Sequence, residues 1–103
     1  MWAQLIKMRL KPGKEADVAR GFEQMLAAEQ PDSGLLREMV MRDQNDPSQL
    51  YALAVFESEE KARAREQDPR RQEGLQASRA TMADIFEGPP EFVDLGVIED
   101  WTV

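Results

Sequence analysis

The stretch Tyr51-Ala52-Leu53-Ala54-Val55-Phe56-Glu57-Ser58-Glu59-Glu60 decides the fold. Its first six residues are apolar at both parities, as expected of a strand with little access to water. Ser58 then offers an N-cap, and Glu59 and Glu60 place negative charge in a first helical turn, where the helix dipole favours it. A strand therefore passes directly into a helix. Upstream, Asn45-Asp46-Pro47-Ser48 supplies turn residues, and Leu35–Asp43 alternates, with Leu35, Met39 and Met41 against Glu38 and Arg42. Two strands, the second over Leu50–Phe56, are expected to form a hairpin.

Working outward, Pro31-Asp32-Ser33-Gly34 closes a helix that runs to about Glu29. In it Val18, Phe22, Met25 and Leu26 fall at i, i+4, i+7 and i+8, while Asp17, Arg20 and Glu23 face away. Before it, Lys11-Pro12-Gly13-Lys14 breaks a strand over Trp2–Leu10, whose Trp2, Ile6, Met8 and Leu10 share one parity against Lys7 and Arg9. Downstream, Asp68-Pro69 restarts the second helix, with Asp68 as cap and Pro69 at the first helical position. Leu75, Met82, Ile85 and Phe86 carry its apolar stripe, and Gly88-Pro89-Pro90 stops it before a last strand over Phe92–Trp101. The order is βαββαβ. This is the α+β, ferredoxin-like arrangement: an antiparallel four-stranded sheet with two helices on one face. Residues 1–103 read as a single domain.

Charge predicts one pairing. The first strand carries Lys7, Arg9 and Lys11, whereas the last seventeen residues hold Glu87, Glu91, Asp94, Glu99 and Asp100 and no base. Opposite charges across neighbouring strands favour pairing by about 0.2–1 kcal/mol each, so the first and last strands should be adjacent. The strands are also apolar on the face that two helices cannot cover, in Leu35-Leu36, Met39-Val40-Met41, Tyr51–Phe56 and Val93–Ile98. Such a face marks an interface, and a homodimer built through the sheets is expected.

Composition excludes much chemistry. The chain has no Cys and no His, so thiolate and imidazole nucleophiles, disulfides, Cys-based metal sites and axial histidine ligation of haem are out of reach of its own side chains. No metal site and no cofactor is expected. Thirteen Lys and Arg against twenty Asp and Glu give a net charge of −7, which disfavours nucleic acid and anionic membranes as partners. The longest apolar run, Tyr51–Phe56, is far short of the ~20 residues of a membrane helix. No secretory leader is evident at the N-terminus, and cytoplasmic residence is the expectation.

These segments resemble the antibiotic biosynthesis monooxygenase family. Lys11-Pro12-Gly13-Lys14-Glu15 is similar to its turn from the first strand into the first helix, and Pro31-Asp32-Ser33-Gly34-Leu35-Leu36 to its lead-in to the second strand. Tyr51–Glu60 is similar to its passage from the third strand into the second helix, with Asp68-Pro69 at the usual break. The resemblance implies a dimeric α+β barrel with a cavity between sheet and helices. It also implies oxygenation of a small aromatic or polyketide-like substrate without metal or flavin, the substrate's own carbanion reacting with oxygen. The chain departs from the family pattern at Ala54, where many members have Glu, and at Phe56, where they have Trp. It departs again at Arg65 and Arg70, where His is common, which argues against haem degradation by the family's route.

Candidate site residues follow from what remains. Tyr51, the only Tyr, is the candidate catalytic group; it is equally an aromatic with one wet end. Trp2, Phe22, Phe56 and Phe86 are candidate walls of an aromatic pocket. Trp101 is expected on the strand paired with Trp2. Residues 61–79 carry a net charge of +3, with six bases against Glu66, Asp68 and Glu73. Arg65 and Arg70 in that segment are candidate ligands for a substrate carboxylate or phenolate. A solvated helix face is the alternative reading of these charges. For the whole chain, the alternatives to a monooxygenase are a non-catalytic dimeric module for a small anionic ligand and an assembly protein.

Overall fold

A computed structural model describes all 103 residues. Its strands are β1 (Trp2–Leu10), β2 (Leu35–Arg42), β3 (Gln49–Phe56) and β4 (Phe86–Gly96), and its helices are α1 (Val18–Ala27), α2 (Glu59–Glu66), α3 (Pro69–Gly74) and α4 (Gln76–Ile85). A short 3₁₀ turn, Glu15–Asp17, leads into α1. The strands form one antiparallel sheet in the order β2-β3-β1-β4. That is the ferredoxin-like order, with first and last strands adjacent. No helix is long and apolar enough to cross a membrane.

The helix boundaries follow the local chemistry. The Ser58 side chain accepts a hydrogen bond from the Lys61 amide, and Asp68 accepts one from the Arg70 amide with Pro69 next in line. Each cap contributes about 1 kcal/mol. Asp68 divides α2 from α3, and a further break at Leu75, which has no side-chain cap, separates α3 from α4, so the expected second helix runs as three. Gly34, at φ +82°, turns the chain into β2 so closely over α2 that an added Cβ would lie 2.8 Å from Lys61 Cβ. In the β2–β3 turn, the Asp43 and Asp46 carboxylates accept the amides of Asn45 and Ser48.

The last strand differs from expectation. It spans Phe86–Gly96 rather than Phe92–Trp101, because α4 ends at Ile85 and the chain turns at once into the sheet. Gly88-Pro89-Pro90 does not end the helix, which has already stopped at Ile85, but lies inside the strand. Lys7 pairs with Glu91 and Arg9 with Glu87, so four steps of β4 answer two of β1 and the Pro pair sits in the resulting bulge. β4 is an edge strand, where prolines that cannot donate to a ladder are tolerated. Trp101 is consequently outside the sheet and 79% exposed, not a partner of Trp2. The charge argument holds at the level of register: both bases on β1 face acidic residues across the ladder.

The core lies between the sheet and the helices. β3 turns Leu50, Ala52, Ala54 and Phe56 to that side. One cluster joins Met8, Leu10, Leu50, Ala52, Ile85 and Phe86, and a second joins Trp2, Ala54, Phe56 and Ala62. The opposite side is open. The ladder aligns Met39, Leu53, Leu5 and Val93 in a row across all four strands there, with Val55, Ala3 and Leu95 beside it.

Candidate functional site

A cavity of about 280 Å³ lies between the sheet and helices α1 and α4. It exists because the central strand offers only Ala52 and Ala54 at the middle of its inner face, and the neighbouring side chains do not fill the space. Ile6 and Met8 form its floor with Ala52. Phe22 and Met25 of α1 and Met82 of α4 close it above, and Phe86, Pro90 and Phe92 of β4 form one side. Phe22 and Phe86 meet edge to face, with centroids 6.3 Å apart. Its volume is close to the lower end of small-ligand sites, which begin at about 300 Å³.

One ionisable group enters this apolar lining: Glu38 of β2. Glu38 pairs with Ala54 and Val40 with Ala52, which puts both on the helix side of the sheet. Burial pushes the Glu38 carboxyl above its ordinary value; Arg65 and Arg71 oppose the rise and Glu29 adds to it. No side chain of the protein hydrogen-bonds to it. Glu38 also borders a polar groove of about 490 Å³ that continues from the cavity past Ile6, Met25 and Phe92. Gln4, Ala54, Asp94 and three arginines, Arg63, Arg65 and Arg71, line this groove.

The arginines differ in how they are held. Arg63 Nη2 is 2.7 Å from Asp94 and 3.3 Å from Glu59, and its guanidinium lies over the Trp2 ring. Arg65 makes a bidentate pair with Glu29 at 2.7–3.1 Å and stacks over Phe56. Burial works against the Glu29 charge, but hydrogen bonds from Arg65 and Ser33 outweigh it and hold the carboxyl below its ordinary value. Arg71 has no carboxylate within 4 Å, and its Nε is shut from water with no acceptor.

The expected site residues separate accordingly. Phe22 and Phe86 line the cavity. Trp2 and Phe56 are buried against each other, centroids 5.9 Å apart, as core beneath α2 rather than as cavity wall. Arg65 borders the adjoining groove, already engaged by Glu29. Arg70 is exposed and lies outside both spaces, paired with Asp68 and Asp32. Tyr51 alternates with Ala52 on β3 and so stands on the open side of the sheet, between Met41 and Lys7. Its hydroxyl is on the far side of the sheet from the cavity.

Glu38 and Arg71 were not singled out by sequence. Alternation in β2 suggested that Leu35, Met39 and Met41 point together. Instead the register shifts between Leu35 and Arg37, turning Glu38 and Val40 inward and Met39 and Met41 outward. The available signal was that Glu38 shares parity with Leu36 and Val40. Arg71 belonged to the basic segment, but nothing in its spacing set it apart from Arg70.

A family model for antibiotic biosynthesis monooxygenases matches residues 1–77. No curated protein matches the chain. Among solved structures, a mutant of MhuD with two manganese protoporphyrin IX bound per active site superposes with a TM-score of 0.81, at 14% identity over 100% of each chain. SnoaB from Streptomyces nogalater, a cofactor-independent oxygenase, gives 0.73 at 15% identity over 96% of this chain and 94% of its own. A Bordetella bronchiseptica protein that bears the same family name gives 0.74 at 18% identity, over 95% and 97%. At such identities the likeness to these structures is one of fold.

Proposed function

Because the chain belongs to the antibiotic biosynthesis monooxygenase family, we propose that it oxygenates a small, electron-rich aromatic substrate without metal or flavin, with Glu38 as the proton acceptor. The observation that carries this reading is the position of Glu38. It is the single carboxylate in an otherwise apolar, aromatic-walled cavity, and burial raises its proton affinity, which strengthens it as a base.

Phe22, Phe86 and Phe92 hold a planar ring and keep water away from it. Glu38 takes a proton from an acidic C–H or O–H of the substrate, leaving a carbanion or phenolate. That anion gives one electron to dioxygen, the radical pair recombines through a new C–O bond, and the hydroperoxide loses water to leave a carbonyl. Two hydrogens leave the carbon, one oxygen atom enters it, and the other departs as water with the proton returned by Glu38. Dioxygen is the only oxidant and no external reductant is consumed. The reading moves the proton acceptor from Tyr51 to Glu38.

A homodimer through the open sheet face belongs to the same proposal, supported by the apolar row Met39, Leu53, Leu5 and Val93. Tyr51 then lies at the subunit interface.

The test is oxygen uptake with dihydroxyanthrone-type and quinol substrates, with no metal or flavin added. Wild type and Tyr51→Phe should consume oxygen above the buffer rate, while Glu38→Gln should fall by about 10²–10⁴-fold. Uptake equal to buffer across the panel, or undiminished in Glu38→Gln, overturns the proposal.

A further inference from the structure

Resting on that reading of the cavity, we infer that Arg71 is the receptor for an anionic substituent of the substrate, so that the ligand class is an aromatic acid rather than a neutral arene. Three guanidinium groups border the polar groove beside Glu38, and two are already neutralised. Arg65 is forked onto Glu29, and Arg63 is held by Asp94, Glu59 and Glu66. Arg71 alone has neither an ion pair nor a side-chain hydrogen bond, although its Nε is closed off from water. A buried donor on a charged group is costly to leave unmade, and nearly all such donors in folded proteins have an acceptor. The terminal Nη donors of Arg71, on the side that borders the groove, remain for a ligand, and a planar anion that accepts two N–H bonds fits them, a carboxylate above all.

Position makes this a substrate contact rather than a surface anion site. The groove and the apolar cavity share Ile6, Met25, Glu38 and Phe92 as common walls. A ligand with its ring between Phe22 and Phe92 can therefore extend its acid past Glu38 towards α3. Burial lowers the proton affinity of Arg71, in keeping with a cation that lacks a partner, and Glu29, Glu38 and Glu66 act on it only from a distance. A carboxylate seated there would also raise the proton affinity of Glu38 by like-charge repulsion, making it a stronger base once substrate is bound. Arg70, one residue away, cannot substitute: it is exposed and held by Asp68 and Asp32.

Calorimetric titration of the full chain with 2-naphthoate and with 2-naphthamide separates the possibilities, since the two probes share a ring and differ in charge. Wild type should bind the acid about tenfold more tightly than the amide. Arg71→Gln should abolish that preference, and Arg70→Gln should retain it in full. Arg71→Lys keeps the charge without the fork, and should lose about threefold or more of the preference even if Arg71→Gln does not fold. Equal binding of acid and amide to wild type, or a preference that survives in Arg71→Gln or is undiminished in Arg71→Lys, overturns the inference and leaves the cavity reading standing. Failure of both probes to bind wild type overturns the cavity reading itself, and this inference with it.

Discussion

Arg65 Nη2 lies 2.7 Å from Glu29 Oε1, and both side chains are only 13% exposed. The pair ties α2 to the end of α1, with the guanidinium stacked on Phe56. It explains why an arginine at a position that invites a ligand is not free to take one.

Removing Arg65 should therefore damage stability before it damages binding. Arg65→Ala leaves the largely buried Glu29 carboxylate without its ion pair, and should cost about 3 kcal/mol, the lower end for breaking a buried pair. Urea unfolding measures it. The double variant with Glu29→Ala should lose less than the sum of the two single variants, because the second removal no longer strands a charge. Strict additivity would mean that the pair is not coupled.

Glu29 and Glu38 should respond to acid in opposite directions. The Glu29 carboxyl is held below its ordinary value of 4.5, so its contribution is present above that value and lost as the pH falls through the lowered one. Glu38 is raised above 4.5, so the folded state binds its proton more tightly than the unfolded chain does. Stability from that proton is present below 4.5 and lost as the pH rises through the raised value. Glu38→Gln should then melt above wild type at neutral pH, with the difference vanishing well below 4.5. Thermal melts of the two proteins across that range check it, and a constant difference would contradict the assignment.

The open sheet face makes a separate prediction. Leu53 sits in the middle of the row that runs from Met39 to Val93. Sedimentation equilibrium at micromolar concentration should give twice the chain mass of 11.7 kDa for wild type. Leu53→Arg, which places a charge at the centre of that face, should give the single mass with the helical signal retained. A monomeric wild type would remove the interface.

Most of the scaffold was legible because each element is punctuated by residues with strong local preferences. Ser58 and Asp68 capped where expected, Gly34 made its turn, and the charges of Lys7 and Arg9 identified β4 as their neighbour. Two features were hidden, and both depend on register. Gly88-Pro89-Pro90 reads as a break between elements, but on an edge strand it is a bulge, and the strand begins six residues early. In β2 a shift at Leu36 reverses which side chains turn inward, so simple alternation sets Glu38 among the solvated residues. A one-residue slip exchanges the two faces of a strand, and strictly local patterns do not detect it. The division among Arg63, Arg65, Arg70 and Arg71 was hidden for another reason. Which guanidinium is free depends on carboxylates up to 38 residues away in sequence, beyond the reach of local spacing.

The most direct test of the central claim isolates proton removal from the reaction with oxygen. Under anaerobic conditions in deuterated buffer, the methylene protons of dihydroxyanthrone should exchange faster with wild-type protein than without it, as read by proton NMR. Tyr51→Phe should exchange like wild type, and Glu38→Gln should be slower by about 10²–10⁴-fold. Exchange in Glu38→Gln at the wild-type rate, or its loss in Tyr51→Phe alone, would contradict the assignment of Glu38 as the base.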